Sequence, residues 1–136
     1  MKQIDHIGIA VPELAAAVDQ YKNLGFEFHG MEEVVEQKVK TAFFEIGESH
    51  LELLEATGED SPIAKFLAKR GPGIHHICVR VDDIDAELAR LAKTDAILIN
   101  EKPVIGAGGH RVAFVHPKST SGVLLELLEQ KKAADA

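Results

Sequence analysis

Bulky apolar residues recur at every second position over residues 4–11, where Ile7, Ile9 and Val11 alternate with His6, Gly8 and Ala10. A period of two is that of a β-strand with one bulky face and one small or polar face. From 13 to 23 the period changes. Leu14, Val18 and Tyr21 lie four and three apart, the spacing of one helix face, and Gly25 stands where such a helix would stop. Phe26-Glu27-Phe28 alternates again, and residues 34–46 and 50–55 read as two more strands around the turn Gly47-Glu48-Ser49. The order then returns. Residues 74–81 predict a strand, 83–93 a helix with Ile84, Leu88 and Leu91 on one side, 96–99 a strand, and 111–116 with 123–128 a closing pair around 117–122. Between the two series, Asp60-Ser61-Pro62 brings an N-cap and a proline at the first helical position, which predicts a connecting helix over 60–70 ended by Gly71-Pro72-Gly73. The small, polar residues 130–136 predict a frayed tail.

The two series match in residues as well as in pattern. Ile4-Asp5-His6-Ile7-Gly8-Ile9-Ala10-Val11 returns 70 positions later as Ile74-His75-His76-Ile77-Cys78-Val79-Arg80-Val81. Leu51-Glu52-Leu53-Leu54-Glu55 recurs verbatim, 74 positions later, as Leu125-Glu126-Leu127-Leu128-Glu129. Two matches in the same order at nearly one offset are the signature of a duplication. The expected architecture is therefore α+β, with two half-modules at about 4–58 and 74–129 inside one domain spanning 1–136.

Composition narrows the function classes. With 136 residues, 46% of them hydrophobic, the chain builds one core of ordinary size. Fifteen Lys and Arg against 22 Asp and Glu leave a net charge of −7, which argues against a nucleic-acid or anionic-membrane partner. The single Cys78 cannot form an internal disulfide, and no apolar run resembles a signal sequence or a bilayer span, so a cytoplasmic protein is expected. Seven histidines leave room for metal chemistry.

Strand parity indicates which side chains share a face. His6 lies with Gly8 and Ala10, and His76 with Cys78 and Arg80, beside small neighbours that are expected to leave space. Glu52 and Glu126 alternate with leucines, so each carboxylate is expected to point away from the helix-covered side. His6, Glu52, His76 and Glu126 are then able to meet in a cleft between two sheets related by a pseudo-twofold axis. Two imidazoles and two carboxylates form a donor set for a divalent metal, and isolated carboxylates in a cleft are costly without a cation. His75 has the opposite parity and is expected to point elsewhere. His29, His50 and His110 have no counterpart in the other half and are expected at the surface.

These residues, in this order, resemble the vicinal oxygen chelate superfamily. Within it, 60–67 (Asp60-Ser61-Pro62-Ile63-Ala64-Lys65-Phe66-Leu67), Gly73-Ile74-His75-His76-Ile77, Gly106-Ala107-Gly108-Gly109 and His116-Pro117-Lys118-Ser119 resemble the methylmalonyl-CoA epimerase family over residues 4 to about 129. The resemblance implies two tandem βαβββ modules forming a cup-shaped mixed sheet with helices on its outer face. It also implies a homodimer, a CoA thioester substrate and one divalent metal ion per chain among Co, Ni, Mn, Zn and Fe, with cobalt favoured. The activity implied is epimerisation by removal and return of an α-proton. Glu126 is the first candidate for the base and Glu52, its symmetry mate, the second. Some members carry Gln at the position of Glu52 and an acid at that of Thr41, which makes Glu45, of the same parity as Thr41, the fallback second base. Gln37 shares that parity as a candidate cleft residue, and Lys118 with Ser119 is placed near the acyl group. Lys65, Lys69, Arg70 and Arg111 are the candidate cations for the CoA phosphates. The competing readings are a glyoxalase I-like lyase, an extradiol dioxygenase and a metal-free small-molecule-binding protein of the same fold. The 60–67 segment argues against the first, and a fourth ligand at Glu52 against the second.

Overall fold

In the computed structural model, which describes residues 1–130, Ile7 and Ile9 lie on the face of the first strand, β1 (Gln3–Ala10), that packs against the helix α1 (Leu14–Asn23), and Val11, just past the strand, joins the same core. The alternation read from the sequence is thus the packing pattern. Val11, Leu14, Ala17, Val18, Ala42, Phe44, Leu51 and Leu53 form the core under α1. The helix ends at Leu24, and Gly25 follows with φ 103°, a backbone conformation that glycine adopts without steric cost. The strands β2 (Glu27–Val34), β3 (Val39–Ile46) and β4 (Ser49–Ala56) follow as an antiparallel series, and β4 returns parallel to β1.

The expected strand over 34–46 is divided. Val35–Gln37 form a 3-10 turn and Lys38 has φ 55°, so β3 begins at Val39. A left-handed residue reverses the chain locally and ends the parity that linked Gln37 to Thr41.

The connecting helix α2 (Pro62–Arg70) starts at Ser61, which is 1% exposed and whose Oγ accepts a hydrogen bond from Ile63 N at 3.2 Å. It corrects one expectation. Ile63 packs with Ala10, Val39 and Leu54, so α2 covers the face that carries His6 and Glu52, opposite α1. The helices are therefore not all on one side, because α2 has its own apolar stripe to bury.

The second series comprises β5 (Gly73–Val81), α3 (Ile84–Leu91), β6 (Val104–Ile105), β7 (Arg111–Val115) and β8 (Leu124–Glu129). β8 pairs parallel with β5, and β7 pairs antiparallel with both β8 and β6. Val81, Ile84, Leu88, Ala113 and Leu127 form its core. The strand expected over 96–99 is reduced to one bridge, Leu98 to Val115, and the edge position is taken by the two-residue β6. The expected tail over 130–136 lies, from 131 on, outside the described residues. The described residues form two compact units, one of His6–His75 and one that joins Met1–Asp5 to 76–130. No described helix is long and apolar enough to cross a membrane.

The repeat has a structural equivalent within each unit. Gly8 pairs with Glu52 across β1 and β4, and Cys78 with Glu126 across β5 and β8, so the two copies of the pentapeptide hold the same register against the two copies of the first strand. The last glutamate of each copy also has a task. Glu55 Oε2 accepts a hydrogen bond from Leu14 N at 3.2 Å, and Glu129 Oε2 accepts one from Ile84 N at 3.1 Å. Each closing strand thus caps the helix of its own module, where unpaired N–H groups and the positive end of the helix dipole favour a carboxylate. α3 has a second cap, Asp83 Oδ1 accepting from Ala86 N, whereas Glu13 makes no side-chain cap on α1. α1 therefore depends on Glu55. In urea unfolding, Glu55→Ala is expected to cost about 0.5–2 kcal/mol, the range of a lost N-cap, whereas Glu55→Gln retains an acceptor oxygen and most of the stability. Equal unfolding midpoints for Glu55→Ala and the wild type would show that the cap contributes nothing.

Candidate functional site

In the first unit, the parity that buries Ile7, Ile9 and Leu53 under α1 puts His6 and Glu52 on the opposite face. Their strands are adjacent and parallel, and the two side chains lie diagonally across the pair. His6 Nδ1 stands 3.3 Å from Glu52 Oε2, with the side chains 10% and 16% exposed. That separation suits two donors of one ion, because donors about 2.1 Å from a common cation at tetrahedral or octahedral angles are about 3.0–3.4 Å apart. A carboxylate so shielded from water needs partners, and here it has two.

The second partner is His50, which the sequence reading put at the surface. Its Nε2 lies 2.9 Å from the same Glu52 Oε2, and its ring stacks on that of His6 with centroids 5.0 Å apart and planes at 26°. The reason is register. His6 pairs directly with His50 across β1 and β4, and neighbours in register share a face. Symmetry could not reveal this, since the equivalent pair in the other unit is His76 with Leu124. The signal available was the parity of His50 with Glu52, two residues away on one strand.

In the second unit, His76 and Glu126 occupy the same diagonal, with Cys78 opposite Glu126, on the face away from α3. The expectation of open space beside the small residues is corrected in both units. Ala10 is fully buried among Val39, Leu54 and Ile63. Cys78, which forms no disulfide among the described residues, is fully buried with Val112 and Leu128, and Phe114 packs against them. Small residues here admit apolar neighbours, as close packing of interiors requires.

The other candidates divide clearly. Thr41 is buried and pairs with Leu54, while Glu45 pairs with His50 and so shares a face with Glu52. The Glu45 side chain is 56% exposed, and its Oε2 lies 3.5 Å from His29 Nε2, which also meets Glu27 at 3.3 Å. Gln37 sits exposed in the 3-10 turn before Lys38 and is not on the strand face expected for it. Lys118 and Ser119 belong to the 3-10 turn Pro117–Ser119, which His116 caps by accepting from Lys118 N at 3.0 Å. Ser119 Oγ accepts from Ile97 N at 2.8 Å, which fixes the hydroxyl oxygen and leaves its proton for donation outward.

His75 turns away from His76 and meets Phe66 edge-on at 5.1 Å, and burial holds its imidazole below its ordinary pKa. His110 is half-buried, with Nδ1 unpartnered among the described residues, and not at the open surface. Lys65, Lys69 and Arg70 are exposed on α2. Arg111 is committed elsewhere: its NH2 donates to Asp85 Oδ2 at 2.7 Å, and its NH1 to Glu129 Oε1 at 3.3 Å. The hydrogen bond to Asp85, followed by the attraction of both carboxylates, raises its pKa above the usual value, so its charge is offset within the fold.

Each unit thus carries a His and Glu pair on the sheet face away from α1 or α3. The chain is 44% identical to the ethylmalonyl-CoA/methylmalonyl-CoA epimerase of Cereibacter sphaeroides, over 92% of this chain and 96% of that protein. It is 42% identical to the mitochondrial methylmalonyl-CoA epimerase of Homo sapiens, over 92% of this chain and 72% of that one. Among solved structures it resembles a variant of the Streptomyces coelicolor methylmalonyl-CoA epimerase in complex with 2-nitronate-propionyl-CoA. There the TM-score is 0.84 and the identity 41%, over 96% of this chain and 95% of that chain. With residues 5–114 matching its sequence profile, the chain belongs to the Glyoxalase/Bleomycin resistance protein/Dioxygenase superfamily.

Proposed function

We propose that this protein is a metal-dependent methylmalonyl-CoA epimerase, in which the two modules act as one domain and His6, Glu52, His76 and Glu126 together hold one divalent ion. The observation that carries the reading is the repeated register: Glu52 opposite Gly8 and Glu126 opposite Cys78, each diagonal to a histidine on the face away from α1 or α3. The 3.3 Å separation of His6 and Glu52 supports a shared ion, and relatives at about 40% identity over most of the chain support the substrate. Two imidazoles and two carboxylates suit Co, Ni, Mn, Zn or Fe, with cobalt favoured by the family resemblance.

The substrate has a hydrogen on a carbon between a thioester and a carboxylate. A divalent ion bound by these residues would supply a Lewis acid for the substrate oxygens that gain charge when this proton leaves. Glu126 takes the α-proton, the C–H electron pair passes into the thioester carbonyl, and a planar enolate results. A carboxylic acid on the other side returns a proton to the opposite face of that carbon, which inverts the centre. Glu52 is the candidate for that second role, and Glu45, on the same sheet face, is the alternative. Ser119, its oxygen fixed by Ile97 N–H, donates its hydroxyl proton to the substrate carboxylate, and Lys118 adds positive charge beside it. Lys65, Lys69 and Arg70, exposed on α2, are the candidate cations for CoA phosphates. A cytoplasmic homodimer is the setting that the single cysteine and the family resemblance support.

Incubation of the purified protein and one methylmalonyl-CoA epimer in deuterated water is expected to place deuterium on the α-carbon and racemise the centre. EDTA stops both, and added cobalt restores them. Absence of exchange with every divalent metal tried would exclude the epimerase reading.

Replacement of single carboxylates separates their roles. Glu126→Gln is expected to reduce exchange by at least about 100-fold, the lower range for loss of a general base. Glu52→Gln blocks racemisation if Glu52 is the second acid. Full racemisation by Glu52→Gln, with loss in Glu45→Gln, would transfer that role to Glu45.

A further inference from the structure

His50 has no counterpart in the duplication. Both modules place a histidine on the first strand and a glutamate diagonal to it, but the residue in register with that histidine is His50 in one module and Leu124 in the other. Leucine has no polar side-chain atom, whereas His50 brings Nε2 to 2.9 Å from Glu52 Oε2. With Glu52 acting as an ionised ligand its oxygen accepts, and the Nε2-protonated tautomer of His50 is the one that donates to it. The ring is held on both sides: it stacks on His6 at 5.0 Å and meets Phe43 at 6.2 Å with planes at 54°. A half-buried imidazole packed in this way has little rotational freedom, and its N–H sets the direction of the carboxylate.

We propose that His50 is a positioning residue that orients Glu52 for metal binding. Glu52 is held from a neighbouring strand position by an N–H, while the corresponding position beside Glu126 offers a leucine side chain. A ligand whose second contact is preset loses less freedom when the ion binds, and hydrogen bonds of this kind commonly tune metal affinity. The inference rests on the reading of Glu52 as a metal ligand.

The test is cobalt affinity of the purified full chain, measured by competition with a chromophoric chelator, alongside the visible spectrum of the bound ion. His50→Phe keeps a stackable ring without the donor, and His50→Gln keeps a donor. His50→Phe is expected to weaken cobalt binding by about 10–100-fold, with His50→Gln restoring most of the affinity and the visible band unchanged in both. Circular dichroism establishes that each variant is folded. Wild-type affinity in folded His50→Phe would overturn the positioning role while leaving the metal site intact. Loss of affinity in both variants with a displaced visible band would overturn it in favour of His50 as a ligand. Failure of the wild-type protein to bind any divalent metal would overturn the metal site itself, and the positioning role with it.

Discussion

The parallel pairing of the first and last strands of each module is the constraint on which the rest depends. It sets Gly8 against Glu52 and Cys78 against Glu126, and so fixes which side chains share a face. A slip of one residue would turn each glutamate into the helix-covered core and each neighbouring leucine out of it. The hydrophobic pattern resists such a slip, because Leu51 and Leu53 in one module and Leu127 in the other are buried under their helices. The core and the polar face are therefore specified by the same register.

The pairing also accounts for the repeated pentapeptide. Its glutamates at the second position, Glu52 and Glu126, lie on the polar face, and those at the fifth, Glu55 and Glu129, cap the helix that follows the first strand. The two positions are three apart, an odd offset, so they point to opposite faces of the strand. One short sequence thereby serves a candidate site on one side and a helix terminus on the other. In the second module this acidic terminus also retains Arg111, which pairs with Glu129 and Asp85.

Much of this was legible in the chain. The alternation of Ile7, Ile9 and Val11, the helical spacing of Leu14, Val18 and Tyr21, and the proline after Ser61 each state a local preference that the fold respects. Failures occurred where a local pattern met a long-range demand. Residues 34–46 read as one strand until the left-handed Lys38 interrupts them, and residues 96–99 have strand character but obtain a single bridge. α2 was expected on the outer side with the other helices, yet its Ile63 finds its cover among Ala10, Val39 and Leu54 on the opposite face.

By itself the sequence determined the duplication, the parity of each strand and the identity of the paired histidines and glutamates, because these follow from periods of two and 3.6 and from direct repetition. Tertiary structure alone decided the partners of those side chains. His50 gained its place on Glu52 by standing opposite His6, and Arg111 lost its availability by standing beside Asp85 and Glu129. The stack of His50 on His6 joins two strands and the Arg111 pairs join residues 18 and 26 positions apart, so their geometry depends on register and packing, which no single segment's pattern contains.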